Sequence, residues 1–231
     1  MNRARLGPRL LIRLILLASF GPVLLFIASG DSGWTMGWIF AAFMFSYTLW
    51  SRLSLLKRNP GLISERIGAL QKDNVEPWDR IIVPLVALFL PTLTILLAGF
   101  DRRFGWSAEF PLWFQAGSYL PMILGGLIAQ WAVLENAFFS AVVRIQEDRG
   151  QKVVTTGPYR IVRHPGYAGG LLFNLFIPVA LGSLWAFLPV LTQTGLTILR
   201  TSLEDRTLLR KLAGYREYAE KTRSLLVPGI W

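Results

Sequence analysis

The chain has 231 residues, 53% of them hydrophobic, with a net charge of +10, one histidine and no cysteine, and its mean hydropathy is +0.45. That composition lies above the soluble norm of about 45–50% apolar and marks a polytopic membrane protein. It excludes disulfides, thiolate chemistry and any metal centre built from cysteine and histidine. The positive charge forms no basic stripe interleaved with aromatics, so it is read as the loop bias of a membrane protein and not as a nucleic-acid surface.

Residues 1–13 carry Arg3, Arg5, Arg9 and Arg13 ahead of an apolar run from Leu10 to Ala28. This resembles a secretory leader, and Ala28-Ser29-Gly30 resembles a weak cleavage site. A run of about nineteen residues is long for a leader core, and a second run follows at once. The expectation is an uncleaved first span, broken or bent near Gly21-Pro22. A second span is expected from about Trp34 to Trp50, with Trp34, Trp38 and Trp50 at the interfaces. Residues 51–80 are mixed in charge. Leu62, Ile63, Ile67 and Leu70 fall at helical spacing, with Asn59 or Ser64 as a cap, and predict a short helix lying on the membrane surface.

The third span is expected over Ile81–Phe100, through Pro84 and Pro91, and Asp101–Trp106 as an outer loop. A fourth is expected over Leu112–Leu134. Two short runs follow, Ala168–Leu181 and Leu184–Leu199, turned at Gly182-Ser183. At fourteen residues the first of these is about 21 Å long if helical, so the pair reads as a tight helical hairpin. From Arg200 to Trp231 the chain is a charged, helix-like tail. No repeat or low-complexity segment is visible. The expectation is a single all-α membrane domain over 1–231, with N-terminal spans in 1–134, a ligand-binding region in 135–231, and five to six transmembrane helices.

Charge predicts orientation. With six crossings, one side receives four Lys/Arg from residues 1–13, six from 51–80, five from 140–166 and seven from 200–231, which is 22 of the 24; only Arg102 and Arg103 fall opposite. The basic side is the cytoplasmic one. Both termini, the segment 51–80 and the segment 135–166 are therefore expected there, in the inner or plasma membrane if the source is bacterial.

The densest stretch on that side is Thr156–Gly170, Thr-Gly-Pro-Tyr-Arg-Ile-Val-Arg-His-Pro-Gly-Tyr-Ala-Gly-Gly. Pro158 and Pro165 fix φ and remove donors, and the glycines permit close backbone approach, so an irregular, polar loop is expected. His164 is either a hydrogen-bond partner within a turn or a ligand contact. Arg200 and Glu204, one helical turn apart, suggest either an interfacial ion pair or charges of both signs in a pocket shared with His164.

The pattern G-P-Y-R-x-V-R-H-P-x-Y-x-G, a short apolar hairpin, R-x-x-x-E-D-x-x-L, then G-Y-x-x-Y and a terminal V-P resembles the isoprenylcysteine carboxyl methyltransferase family, whose wider relatives include the phospholipid methyltransferases. The resemblance is strong from Asn136 to Pro228. Asn59-Pro-Gly-Leu-Ile-Ser-Glu-Arg66 and Glu76-Pro-Trp-Asp-Arg80 look like segments of its bacterial members. It implies S-adenosyl-L-methionine in a cytoplasmic pocket and a lipid-like or prenylated acceptor entering from the bilayer. Cofactor contacts would come from Gln151, Lys152, Val153, Val154, Tyr159, His164, Pro165, Gly166, Tyr167 and Glu204. Arg200 would face the acceptor, with Glu204 as its partner, and His164 or Glu204 would act as base if the acceptor were an amine. Asp205 stands where many members have a second glutamate, which leaves its role open. Two other readings belong beside this one. An NADPH-dependent membrane reductase of the steroid or sterol type carries a similar R-H-P-x-Y-x-G stretch, and a transporter or lipid-binding protein would need no chemistry.

Overall fold

The computed structural model describes residues 8–231, and the expected basic flank at Arg3 and Arg5 lies outside them. Among the described residues the chain is helical. The long elements are α1 (Pro8–Ser29), α2 (Thr35–Arg58), α4 (Asp79–Phe104) and α5 (Leu112–Glu135), with the short α3 (Pro60–Arg66) between the second and third. The apolar α6 (Pro165–Leu181) and the longer α7 (Phe187–Lys211) form the expected hairpin, and α8 (Tyr215–Lys221) follows. Four of these, α1, α2, α4 and α5, are long and apolar enough to cross a bilayer. The chain is thus an all-α polytopic membrane protein.

Several boundaries differ from those expected. α1 runs through Gly21-Pro22 without a break. A proline costs one backbone hydrogen bond, but hydrocarbon offers no water to the further groups that breaking the helix would free. α2 continues past Trp50 to Arg58, held to α5 by Ser51 Oγ donating to Gln130 Oε1 at 2.6 Å, and Pro60 starts the next helix. Asn59 occupies the cap position of α3 without a side-chain capping bond, and Ser64 lies inside that helix. α4 runs on to Phe104, where Gly105 at φ 64° ends it, so the outer loop begins at Gly105 and not at Asp101. The last apolar run and the charged tail beyond Arg200 are one helix of 25 residues, which puts Arg200 mid-helix and not at its end.

The loop around His164 is shorter than expected. A 3-10 turn spans Gly157–Arg160, and α6 already begins at Pro165, whose missing N–H suits the first helical position. Gly166, Gly169 and Gly170 are therefore helical. A Cβ on Gly169 would sit 2.5 Å from both Ala129 N and Gly125 O, so glycine here serves close packing of α6 on α5 and not ligand approach.

Chain reversals gather at two faces. The turns before α2, after α4 and between α6 and α7 are tied together away from the basic side: Arg102 pairs with Asp31 at 2.9 Å, and Asp101 accepts from Ser107 and from Ser183. Between the two faces an apolar core of Leu25, Phe40, Ile95, Met122 and Phe173 joins α1, α2, α4, α5 and α6. The opposite, basic face carries α3, residues 136–164 and α8, and it holds the site.

Candidate active site

A pocket enclosing about 790 Å³, part of it open to solvent, lies on the basic face between the 136–164 segment, the start of α6, the middle of α7 and α8. Of the residues expected at a cofactor, Gln151, Lys152, Val153, Val154, Tyr159, His164, Gly166, Tyr167 and Glu204 all line it, and so does Arg200. Pro165 does not; it is fully buried as the first residue of α6. Gln151 is partly committed, because its Oε1 accepts from Gln146 N at 2.7 Å and shapes the loop.

His164 sits at the entry to α6, and two groups fix it. Its backbone N–H donates to Leu225 O at 2.9 Å while Arg163 N donates to Ser224 O at 2.9 Å, so the C-terminal tail is strapped along this segment. Its ring stacks with Tyr167, centroids 5.8 Å apart, and Nε2 lies 3.3 Å from Asp205 Oδ1. An ionised carboxylate can only accept, so Nε2 carries a hydrogen toward Asp205 and Nδ1 is left for another partner.

Asp205 is the organiser that sequence reasoning left without a role. It takes Tyr215 Oη at 2.8 Å and Arg163 Nη1 at 3.0 Å besides His164. Burial alone would raise this carboxyl, but the hydrogen bonds from His164 and Tyr215 and the charges of His164 and Arg163 hold it below the ordinary carboxylate range. Tyr218 Oη donates to Tyr159 O at 2.7 Å, and the Tyr159 hydroxyl meets Asn136 Nδ2 at 3.2 Å, so α8 braces the 3-10 turn. The G-Y-x-x-Y motif placed both α8 tyrosines in view without giving them a task.

Arg200 is a correction. It shares a helix face with Glu204, yet its carboxylate partner is Asp79, at the start of α4. Nε donates to Oδ1 at 2.7 Å and Nη2 to Oδ2 at 3.1 Å; Nη2 also reaches Ala141 O at 3.0 Å. Asp79, 0% exposed, further accepts Val143 N at 2.6 Å. Glu204 instead accepts from Tyr167 Oη. The guanidinium lies over the Tyr167 ring, 5.2 Å from its centroid, and Nη1 has no hydrogen-bond partner among the described residues. The two-toothed edge of the fork is thus spent on Asp79, and Nη1 remains for a ligand. The pairing joins residues 121 positions apart, which no local motif reveals.

A second buried pair supports the rim. Arg144 donates from Nε to Glu65 Oε1 at 2.9 Å and from Nη1 to Asp148 Oδ1 at 2.8 Å, and Lys72 reaches Glu65 Oε2 at 2.7 Å. Burial would raise the Glu65 carboxyl, but hydrogen bonds from Arg144 and Lys72 and their charges hold it low. This gives Asn59–Arg66 a role: it supplies the acid that anchors the 140–148 wall. Among the described residues there is no cluster of metal-binding side chains.

One buried donor in the pocket stands unsatisfied. Arg163 Nε has no partner, although its Nη1 and Nη2 are engaged by Asp205 and by Arg223 O at 3.3 Å. A buried orphan donor is costly unless a ligand accepts from it.

Part of the chain is similar to known proteins. Residues 113–214 match the family model described as phospholipid methyltransferase. Two rice proteins, from Oryza sativa subsp. indica and subsp. japonica, each called a probable protein-S-isoprenylcysteine O-methyltransferase, are 33% identical over 121 residues, covering 48% of this chain and 61% of theirs. The protein-S-isoprenylcysteine O-methyltransferase B of Arabidopsis thaliana is 30% identical over 70 residues, 30% of this chain and 36% of its own. The match thus spans less than two thirds of the relatives' length. The matched residues run from α5 through the hairpin to the start of α8 and include every polar group of the pocket from Asn136 to Glu204. Over residues 113–214, therefore, this chain is similar to the phospholipid methyltransferases, and about half of it is similar to proteins called isoprenylcysteine methyltransferases.

Proposed function

We propose that the protein is an integral membrane methyltransferase that uses S-adenosyl-L-methionine and methylates a carboxylate on a lipid-like acceptor of the isoprenylcysteine kind. The observation that carries this is one pocket holding an orphan cationic donor, a carboxylate and stacked aromatic rings at the bilayer edge. The donor set suits the cofactor. Arg163 Nε and His164 are available to its carboxylate, and Glu204 to its ammonium or ribose hydroxyls. Tyr159, Phe138 and Phe139 offer apolar and aromatic surface to the base. The cofactor supplies a methyl group on sulfur already activated for in-line displacement.

What the chain's own residues do is position and exclude water. Arg200, fixed by Asp79, offers Nη1 to the acceptor carboxylate. Such an acceptor is already a nucleophile and needs no general base, so Tyr167 and Glu204 are left to hold the cofactor. His164→Ala and Glu204→Ala are each expected to weaken cofactor binding by about 1–3 kcal/mol, the loss of one hydrogen bond to a charged group. Calorimetry on the folded variants measures it, and unchanged affinity in both would remove them from the cofactor site.

The pocket's face is proposed to be cytoplasmic, with both termini on that side, because the loop charges favour it and the cofactor would be supplied there. The chain has no cysteine, so one introduced at Thr155 should resist impermeant maleimide in intact cells and react in inverted vesicles. Labelling from outside would reverse the orientation.

A further inference from the structure

α4 is not a regular helix. Over Leu85–Phe89 it winds as a π-helix, and Leu90 N donates to Leu85 O, five residues back. That choice passes over the Val86 carbonyl. The group that would serve Val86 O in the same register belongs to residue 91, which is proline and has no N–H. Val86 O is left without a backbone donor inside an apolar span, where such a group is expensive. Gln193 of α7 supplies the missing hydrogen: its Nε2 donates to Val86 O at 2.8 Å, and the side chain is buried.

The position of this bridge matters. Val86 lies seven residues after Asp79 on α4, and Gln193 lies seven residues before Arg200 on α7. The two helices run in opposite directions, so Asp79–Arg200 and Val86–Gln193 are two rungs of one register, about 10 Å apart along the helices. A slide of one residue, about 1.5 Å, would break both rungs at once.

We propose that the Gln193–Val86 bridge, made necessary by Pro91, sets the axial register of α7 on α4 and so places Arg200 in the pocket. Gln193 is a positioning residue that touches no ligand. The claim about turnover rests on the reading that Arg200 engages the acceptor; the claim about register does not.

In the cysteine-free background, spin labels at Ile81→Cys and Leu199→Cys sit on exposed positions of α4 and α7 beside the Asp79–Arg200 rung. Their distance distribution in lipid nanodiscs reads the register directly. Gln193→Leu is expected to broaden it, and to lower turnover of N-acetyl-S-farnesylcysteine by about tenfold or more, with S-adenosylhomocysteine affinity kept within about twofold. Adding Pro91→Ala returns a backbone donor to this turn of α4, which protects the fold but restores no bridge between helices. The double variant should stay broad and slow. An unchanged distribution in Gln193→Leu would overturn the proposal. So would recovery of a narrow distribution in the double variant, because Gln193 would then only satisfy a carbonyl. Arg200→Lys, assayed alongside, keeps the two readings apart: normal turnover there defeats the acceptor role of Arg200 and leaves the distances to decide the register.

Discussion

Asp79→Ala is expected to destabilise the protein by about 3–5 kcal/mol, the effect of stripping one partner from a buried ion pair. The carboxylate is fully enclosed and holds three donors, Arg200 Nε, Arg200 Nη2 and Val143 N. Without it a buried guanidinium keeps only Ala141 O as a partner, and the Val143 N–H loses its acceptor. Most of the cost is therefore the uncompensated charge and not the loss of attraction. The partner variant makes that distinction measurable. Asp79→Leu combined with Arg200→Met removes both charges, and burying apolar side chains of similar volume is often neutral or stabilising. Denaturant titration in detergent should show Asp79→Ala unfolding early and the double variant close to wild type in stability while inactive. A wild-type midpoint for Asp79→Ala would mean that the pair does not hold α4 to α7.

Arg200→Lys is expected to cut turnover by about 10²-fold while leaving cofactor affinity nearly intact. The guanidinium does two things at once: Nε and Nη2 grip Asp79, and Nη1 remains for a ligand. A lysine ammonium has three donors on one atom and no planar edge, so it cannot keep the paired geometry with Asp79 while presenting a donor to the acceptor at a fixed angle. A merely interfacial arginine, with its stem along apolar surface and its head in water, would tolerate lysine fully. Steady-state kinetics with a prenylated cysteine acceptor, beside S-adenosylhomocysteine binding, distinguishes the two roles. Normal turnover, or a defect confined to cofactor affinity, contradicts the assignment.

Much of this architecture was legible in the sequence because it is written locally. Apolar runs give the spans, Gly182-Ser183 gives the hairpin turn, and the His164 segment announces itself by its density of proline, glycine and tyrosine. The 140–166 side of the pocket and α7 were expected on one face from charge alone, and the structure brings nine of the ten expected cofactor residues to one cavity. What stayed hidden depends on distance along the chain. Asp79 precedes an apolar run and looks like an ordinary helix start; only the fold carries it to Arg200. Asp205 looked like a shortened glutamate of uncertain use, and its shorter reach fits a site where Arg163, His164 and Tyr215 all converge. Gly169 was read as freedom for a loop, whereas helix packing against Gly125 uses the same absence of a side chain. The π-helical turn of α4 was within reach: Pro84 and Pro91 were visible, but the consequence for Val86 O appears only with Gln193 opposite.

The most direct measurement is calorimetry of the purified protein, in detergent or nanodiscs, titrated with S-adenosylhomocysteine and in parallel with NADPH. Saturable binding of the first at one site per chain, lost when Asp205→Ala releases His164 and Arg163, is the predicted result. Binding of NADPH in its place would contradict the methyltransferase reading and return the His164 segment to the reductases it partly resembles.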